Sequence, residues 1–426
     1  MDLQTPRGPE GSNGSLLRIC RGNPGIFPPQ KSRHSHRIRR AFPRRRPAFP
    51  RAAASTLDAP RALCYELRVR SDLLKNVTRV VVKLGTGVLT DSQKQPDLAQ
   101  MGQLVAQLAA QRRAGREIIV VTSGAVGAGM GALGFKKRPA DLADLQACAA
   151  VGQSRLMATY QKLFDEFGLT VAQVLLTHDD LEHHDRHLNA RNTLVSLLRR
   201  GVTPIINEND VVSFAEIKFG DNDKLSALVA SLLPADLLVI LTTVDGVIEN
   251  FGQPNAKTLA TIENIDGAIE RMAGGTDSAT AVGGMASKIQ AAKIVVRSGI
   301  PLVIASGRKR NVLAQVLGGE SEGTIFIPRP NRLQGRKRKI AFFHHPQGTL
   351  FVDDGAKAAL REHGKSLLLP GVARHDGTFA ADDVLSISDT DGTEFARGVT
   401  RLASAEITAR NTSHAVVVHR DDLVIL

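Results

Sequence analysis

The sequence predicts an α/β protein, a three-layer α/β/α sandwich with a mainly parallel central sheet, followed by a small β-rich domain at the C-terminal end. Three observations carry that prediction. From about residue 76, β-rich runs alternate with amphipathic helical runs, the order that builds β-α-β units and a parallel sheet. Polar or glycine-rich clusters stand just after the strands, where open sheets of this kind bind ligands. Between Pro328 and Lys339 the composition turns to Pro, Arg, Lys and Gly, and beyond it short β segments are separated by turns such as Asp376-Gly377 and Asp391-Gly392.

The elements follow in order. Arg79–Leu84 reads as the first strand. Leu98–Gln111 reads as a helix, with Met101, Leu104, Val105 and Leu108 on one face and Gly115 as its stop, and Glu117–Val121 as the second strand. The alternation continues through strand Leu169–Leu175, helix Ala190–Arg199, strand Val202–Ile206, helix Asp223–Leu232, strand Leu237–Leu241, helix Ala286–Arg297 and strand Pro301–Ile304. The domain organisation expected is a disordered basic extension over 1–75, the α/β body over 76–328, a linker over 329–345 and the β-rich domain over 346–426, with one helix near Ala356–His363.

At 426 residues and 42% hydrophobic the chain can bury two or three cores. No apolar run approaches the roughly 18 to 20 residues of a membrane span, so no membrane association is expected. The formal charge of +13 suggests nucleic acid until it is located. Residues 1–75 hold 16 Lys and Arg against 5 Asp and Glu, which is +11 of the total and leaves the folded body near neutral at +2. That Arg-, Pro-, Ser- and Gly-rich stretch has three readings: a segment upstream of the true start or a dispensable tail, an organellar transit peptide, or an arm that binds nucleic acid or a partner. A secretory signal does not fit, because no apolar core follows the basic residues. Cys20, Cys64 and Cys148 are odd in number and lack metal-type spacing, which points to a reducing, cytoplasmic setting. Cys148, in an apolar helical stretch, is expected in the core.

The chemistry is carried by residues at strand ends. Lys83 follows three valines and precedes Gly85-Thr86-Gly87; Lys288 follows Gly283-Gly284-Met285-Ala286-Ser287 at the start of a helix. A fixed cation beside bare backbone N–H groups is what phosphate oxygens require. Neither stretch is a P-loop. Lys288 also stands where the helix dipole disfavours a cation, which argues for a functional reason. Phosphoryl or acyl transfer asks for that kind of charge balance and little else.

Asp221-Asn222-Asp223 precedes a helix; one aspartate suits an N-cap, worth on the order of 1 kcal/mol, and the set also suits orienting a lysine, holding Mg²⁺ through water or binding a substrate ammonium. Asn207-Glu208-Asn209-Asp210 is rich in acceptors for an α-amino group, or else a turn cluster. Ser123-Gly124-Ala125 offers a hydroxyl and free N–H groups at a strand-to-helix turn, but is not the nucleophile elbow of serine hydrolases, since Thr122 precedes it and no glycine stands two residues before. His183, His184 and His187 have metal-ligand spacing, yet no Cys or carboxylate pattern frames them. They are read as a polar, mobile segment, and no metal ligand is assigned. Arg336-Lys337-Arg338-Lys339 is read as solvated linker.

Taken in order, Val81-Val82-Lys83-Leu84-Gly85-Thr86, Val121-Thr122-Ser123-Gly124-Ala125, Leu188-Asn189-Ala190-Arg191-Asn192-Thr193, Ile206-Asn207-Glu208-Asn209-Asp210, Gly220-Asp221-Asn222-Asp223 and Gly283-Gly284-Met285-Ala286-Ser287-Lys288 closely resemble the glutamate 5-kinases of the amino acid kinase superfamily. The similarity runs from about residue 78 to the C-terminus. The resemblance implies transfer of the ATP γ-phosphoryl group to the side-chain carboxylate of L-glutamate at the start of proline synthesis. It also implies Mg²⁺, a homo-oligomer (dimer or tetramer), feedback inhibition by proline and a C-terminal PUA domain. Hand-over of product to a glutamyl-phosphate reductase and RNA binding by the PUA domain are further partners to expect. By motif, Lys83, Lys288, Asp221 and Asp223 would be catalytic, and Ser123, Asp210 and Asn222 would contact glutamate. Thr242, Thr243, Gly283, Gly284, Met285, Ala286, Ser287 and both lysines would hold ATP. The set departs from the family's usual pattern at Gly87, Thr243 and Ala281-Val282. Two rivals remain: another carboxylate or carbamate kinase on the same fold, and an RNA-binding protein with an inactive kinase body.

Overall fold

The computed structural model describes residues 68–91, 96–212, 222–274, 284–328, 335–344, 346–409 and 415–426. The larger body is an eight-stranded sheet between two helical layers. Its strands are β1 (Arg79–Leu84), β2 (Glu117–Val121), β3 (Val171–Leu176), β4 (Thr203–Glu208) and β5 (Leu237–Thr242), then, after a two-stranded hairpin of β6 (Ile248–Glu249) and β7 (Lys257–Thr258), β8 (Thr261–Ile262), β9 (Leu302–Ser306) and β10 (Thr324–Phe326). They are ordered β3-β4-β2-β1-β5-β9-β10-β8. Every neighbouring pair from β3 to β9 is parallel, and β10 turns antiparallel to β9. The parallel stretch brings the carboxyl ends of β1, β2, β4, β5 and β9 to one rim.

The helices that frame the sheet and site are α1 (Leu98–Arg113), α2 (Ala125–Met130), α3 (Leu142–Asp165), α4 (His184–Arg199), α5 (Asn222–Leu232), α6 (Met285–Arg297) and α7 (Val312–Gly318). Asp97 and Asp141 cap α1 and α3 by accepting from Gln100 N and Asp144 N, each worth about 1 kcal/mol. Strand alternation sorts the two layers. On β1, Val80, Val82 and Leu84 face a core shared with α1, α3 and α7, whereas Val81 faces the core shared with α4, α5 and α6. Lys83 has the parity of Val81, which aims it at the α5 and α6 layer. Each fully buried Val, Leu or Ile in these cores contributes roughly 1.5–3 kcal/mol, and β1 and β5 are apolar almost throughout because both their faces are covered.

The predicted elements are present with shifted ends, such as Val171–Leu176 for the strand read as Leu169–Leu175 and Leu302–Ser306 for that read as Pro301–Ile304. The helix read as Ala190–Arg199 begins at His184. The polar, mobile reading of the histidines is corrected at His187, which is buried, holds Nδ1 3.0 Å from the Leu181 carbonyl and meets Phe343 edge-on at 4.6 Å. The stretch read as a disordered extension up to residue 75 contains a helix at 68–74. It is held because the fully buried Arg70 guanidinium donates to the carbonyls of Ala260, Glu320, Glu322 and Gly323. The remainder of that extension lies outside the described residues.

The second body is a six-stranded sheet of β11 (Thr349–Val352), β12 (Leu367–Leu368), β13 (Val372–Asp376), β14 (Val384–Ser388), β15 (Glu394–Thr400) and β16 (Val416–Ile425), ordered β12-β16-β15-β14-β11-β13. It has its own core of residues such as Leu350, Phe379, Leu385, Ile387 and Val417. The stretch read as solvated linker contains helix α8 (Gly335–Phe342). Behind its basic run, Ile340 and Ala341 pack against Val384 and Val424 of the second sheet, and Phe343 joins the first body's core. Among the described residues no helix is long and apolar enough to cross a membrane.

Candidate active site

The rim is built one strand end at a time. Lys83 sits between Val121 of β2 and Ile240 of β5 in the sheet register. Gly85 N then donates to the Leu241 carbonyl at 3.1 Å, so the chain hugs β5; a Cβ on Gly85 would lie 3.3 Å from that carbonyl oxygen and 3.7 Å from Lys83 Nζ. On the facing layer, α5 starts at Asn222 and α6 starts at Met285, with Gly284 as an N-cap whose side makes no capping bond.

These three elements deliver a buried triad. Lys83 Nζ lies 2.6 Å from Asp223 Oδ1 and Lys288 Nζ lies 3.0 Å from Asp223 Oδ2. Both lysines are 4% exposed and Asp223 is fully buried. Ser287 donates its hydroxyl to Asp223 Oδ2 at 2.7 Å, and Lys288 Nζ reaches back to the Gly284 carbonyl at 3.4 Å. Burial pushes the Asp223 carboxyl up, but the charges of Lys83 and Lys288 and the bonds from Lys83 and Ser287 outweigh it and bring the pKa down to about 2. The carboxylate is therefore ionised at neutral pH. With both ammoniums charged, two cations share one anion, and the cluster keeps an excess positive charge in a low-dielectric site.

A second group gathers beside it on the β2 and β4 side. After β2, Gly124 takes φ +101, the left-handed region that glycine tolerates, and turns the chain into α2 with Ser123 at the bend. The bend rests on a glycine contact: a Cβ on Gly152 of α3 would lie 1.7 Å from the Ala125 carbonyl oxygen, and one on Gly129 of α2 would lie 1.9 Å from that of Cys148. Asn222 Nδ2 donates to the Thr122 carbonyl at 2.5 Å and to Asn207 Oδ1 at 2.7 Å, and lies 3.3 Å from Ser123 Oγ. Glu208, next to Asn207, ends β4 with its Oε2 3.7 Å from Nδ1 of the buried His178.

The structure thus brings together Lys83, Asp223, Ser287 and Lys288 in one cluster and Ser123 and Asn222 in an adjoining one. Asp210 stands two residues beyond β4 in a turn, half-buried. Thr242 ends β5 half-buried and Thr243 is exposed, its Cγ2 2.9 Å from where a Cβ on Gly87 would be. Gly284, Met285 and Ala286 form the start of α6 around Ser287 and Lys288. Asp221 and Gly283 lie outside the described residues. Sequence reasoning passed over Tyr160, whose buried hydroxyl lies 2.7 Å from Thr122 Oγ1, and Gln153, which bonds Asn207. Neither left a signal: a tyrosine and a glutamine in an amphipathic helix read as core and solvent face. Among the described residues no three His, Cys, Asp or Glu side chains gather as a metal site.

Comparison with known proteins places the chain in a family. The model of the amino acid kinase family matches residues 78–306, and that of the PUA domain matches residues 348–421. The glutamate 5-kinase of Geobacter sulfurreducens is 45% identical over 374 residues, which is 84% of this chain and 100% of the relative. That of Moorella thermoacetica is 46% identical over 368 residues, 83% of this chain and 97% of the relative. Among solved structures, the carbamate kinase from Giardia lamblia bound to AMP-PNP aligns with a TM-score of 0.44 at 19% identity, over 60% of this chain and 100% of that one. The chain belongs to the amino acid kinase family, in its glutamate 5-kinase branch, and carries a C-terminal PUA domain.

Proposed function

We propose that the chain transfers the γ-phosphoryl group of ATP to the γ-carboxylate of L-glutamate, giving γ-glutamyl phosphate, the first step of proline biosynthesis. The observation that carries this reading is the Lys83–Asp223–Lys288 triad, in which one ionised carboxylate holds an ammonium from the sheet and one from the helical layer packed on it at a single point. A transferred phosphoryl group spreads negative charge over its equatorial oxygens. The excess positive charge of the triad is complementary to it, and fixed before the reaction starts. The attacking carboxylate is already ionised at pH 7, so no general base is needed and catalysis rests on charge and alignment.

In this reading Lys83 and Lys288 stabilise the phosphoryl group in transfer, Asp223 orients them, and Asp221 assists on the substrate side. Ser123, Asp210 and Asn222 hold glutamate; Thr242, Thr243 and the loop from Gly283 to Lys288 hold ATP, with the open start of α6 facing the phosphates. Mg²⁺ finds no ready ligand set here, because both Asp223 oxygens are occupied by lysines and no three ligating side chains gather among the described residues. The ion would be held mainly by the triphosphate, where it would neutralise phosphate charge. Domain limits of 76–328 and 346–426 are kept as part of the proposal, with Leu74 and Phe343, just outside them, packing into the first body's cores. By relatedness the proposal extends to a cytoplasmic homo-oligomer, dimer or tetramer, inhibited by proline. Its short-lived acyl phosphate would pass to a glutamyl-phosphate reductase, and RNA is the class of ligand assigned to the PUA domain.

The test is a substrate scan with hydroxylamine trapping of the acyl phosphate, supplying glutamate, N-acetylglutamate, aspartate and carbamate in turn. Glutamate is expected to give the highest kcat/KM. A higher value for any of the other three rejects the assignment.

A further inference from the structure

Asn222 is the inner end of a directed chain of amides. Its Nδ2 donates to the Thr122 carbonyl at 2.5 Å, and a backbone carbonyl only accepts, so the nitrogen end of this side chain is fixed. The direction then propagates. Asn207 must turn its oxygen to Asn222 (2.7 Å), which sends its Nδ2 to Gln153 Oε1 (2.9 Å); Gln153 sends its own Nε2 to Gln173 Oε1 (2.9 Å). The amides of α5, β4, α3 and β3 therefore take one orientation each, set by a single peptide oxygen. That oxygen is itself anchored, since Thr122 N donates to the Ile206 carbonyl at 2.9 Å and the Thr122 hydroxyl pairs with Tyr160.

The consequence falls on the substrate. The two hydrogens of Asn222 Nδ2 are taken up by the Thr122 carbonyl, Asn207 Oδ1 and, at 3.3 Å, Ser123 Oγ, so the end it offers a ligand is Oδ1, an acceptor. An acceptor suits the α-ammonium of an amino acid and repels either of its carboxylates. Asn207 is 2% exposed, so its Nδ2 needs the oxygen of Gln153. Without that oxygen the buried Nδ2 of Asn207 is left with no acceptor, so Asn207 swings away to find one and Asn222 loses one of the two bonds that hold its side chain.

We infer that Gln153, backed by Gln173, is a positioning residue for the amino-acid substrate: it holds Asn207 in place against Asn222, whose orientation Thr122 sets and whose oxygen accepts a hydrogen bond from the substrate ammonium. The inference rests on the glutamate-kinase reading above and adds a residue to it.

The experiment uses the full chain with steady-state kinetics in which glutamate and ATP are varied separately. Gln153→Met removes both bonds at similar length, whereas Gln153→Glu keeps the oxygen that Asn207 needs. Gln153→Met is expected to raise KM for glutamate about five- to tenfold, the size of one buried hydrogen bond, with kcat and KM for ATP within about twofold. Gln153→Glu is expected to restore a glutamate KM within about twofold of wild type. Gln173→Met, at an exposed position, is expected to give a smaller rise of the same kind and serves if the Gln153→Met protein does not fold. An unchanged glutamate KM in Gln153→Met, a Gln153→Glu variant as impaired as Gln153→Met, or a parallel loss in kcat and both KM values overturns the positioning role. Wild-type protein that fails to phosphorylate glutamate overturns the functional reading and this inference together; active wild type with an unaffected Gln153→Met overturns this inference alone.

Discussion

Replacing Asp223 by asparagine is the sharpest perturbation available, because it removes one charge and almost no volume. In the native site two ammoniums lie 2.6 Å and 3.0 Å from the carboxylate oxygens, all but sealed from water. Asparagine leaves the two lysines with no anion between them and turns an NH₂ donor toward one of them. Breaking a buried pair by removing one partner costs about 3–5 kcal/mol, which for a domain of this size lowers Tm by roughly 6–20 °C. The lysines relax apart, and displacement of catalytic groups by about 1 Å costs on the order of a hundredfold. With both cations displaced, kcat is expected to fall by about a thousandfold or more. Hydroxamate trapping gives kcat and differential scanning gives Tm, both on the same preparation. Ser287→Ala provides the graded control, since it removes the hydroxyl's contacts to Asp223 Oδ2 at 2.7 Å and the Gly284 carbonyl at 2.8 Å and keeps the charges. An Asp223→Asn protein with wild-type Tm and kcat within tenfold of wild type refutes the electrostatic account of the site.

Three further outcomes are expected. Lys288→Ala leaves a balanced Lys83–Asp223 pair, so turnover should be lost while Tm falls less than in Asp223→Asn; full activity contradicts the role given to Lys288, and the melting order checks the charge argument. Asp223 is depressed to about 2 in the folded protein, below its unfolded value near 3.9, so its stabilisation is complete above about pH 4 and is lost as pH falls through about 2. In urea unfolding, the stability difference between wild type and Asp223→Asn should be flat from pH 7 to about 4 and shrink below; a change between pH 7 and 5 counts against it. Gly152→Ala drives a methyl to within 1.7 Å of the Ala125 carbonyl oxygen, so α2 and α3 must part; expected are a loss of about 3 kcal/mol or more in unfolding experiments and a raised glutamate KM, because Ser123 stands at the start of α2.

Much of this was legible from residue order. The valine-rich β1, the apolar face of α1 and the glycines beside both lysines have the periods and breaks that local physics demands, and the α/β/α sandwich follows from their alternation. The carboxyl end of β4 was not. Asn207 and Glu208 read as ligand acceptors just past a strand, or else as a turn cluster, yet they pair with Leu175 and Leu176 of β3 and are buried. Their polar groups find partners on α3, α5 and the segment at His178, contacts that no local pattern announces. The same reason hid α8, whose basic run looked solvated until Ile340, Ala341 and Phe343 met neighbours more than forty residues away. For the site, residue types told which side chains could hold a phosphate, but only tertiary structure could join Lys83 to Lys288 through Asp223.

The two halves of the site meet in the first turn of α5. Neighbouring helical residues point about 100° apart, and Asn222 and Asp223 use that angle: Asn222 turns to Thr122 and Asn207, and Asp223 turns to Lys83 and Lys288. The amide proposed to face the amino acid and the carboxylate that holds the two proposed phosphoryl-binding cations are therefore covalent neighbours. Their spacing does not depend on how loops settle around a ligand. Every residue of α5 except Lys224 is buried, so the turn cannot shift without disturbing the core that Leu225, Leu228 and Val229 share with β1 and α6. A reaction that depends on alignment and charge gains most when acceptor and cation positions are set by one rigid element, and in this chain that element is the amino-terminal turn of its most buried helix.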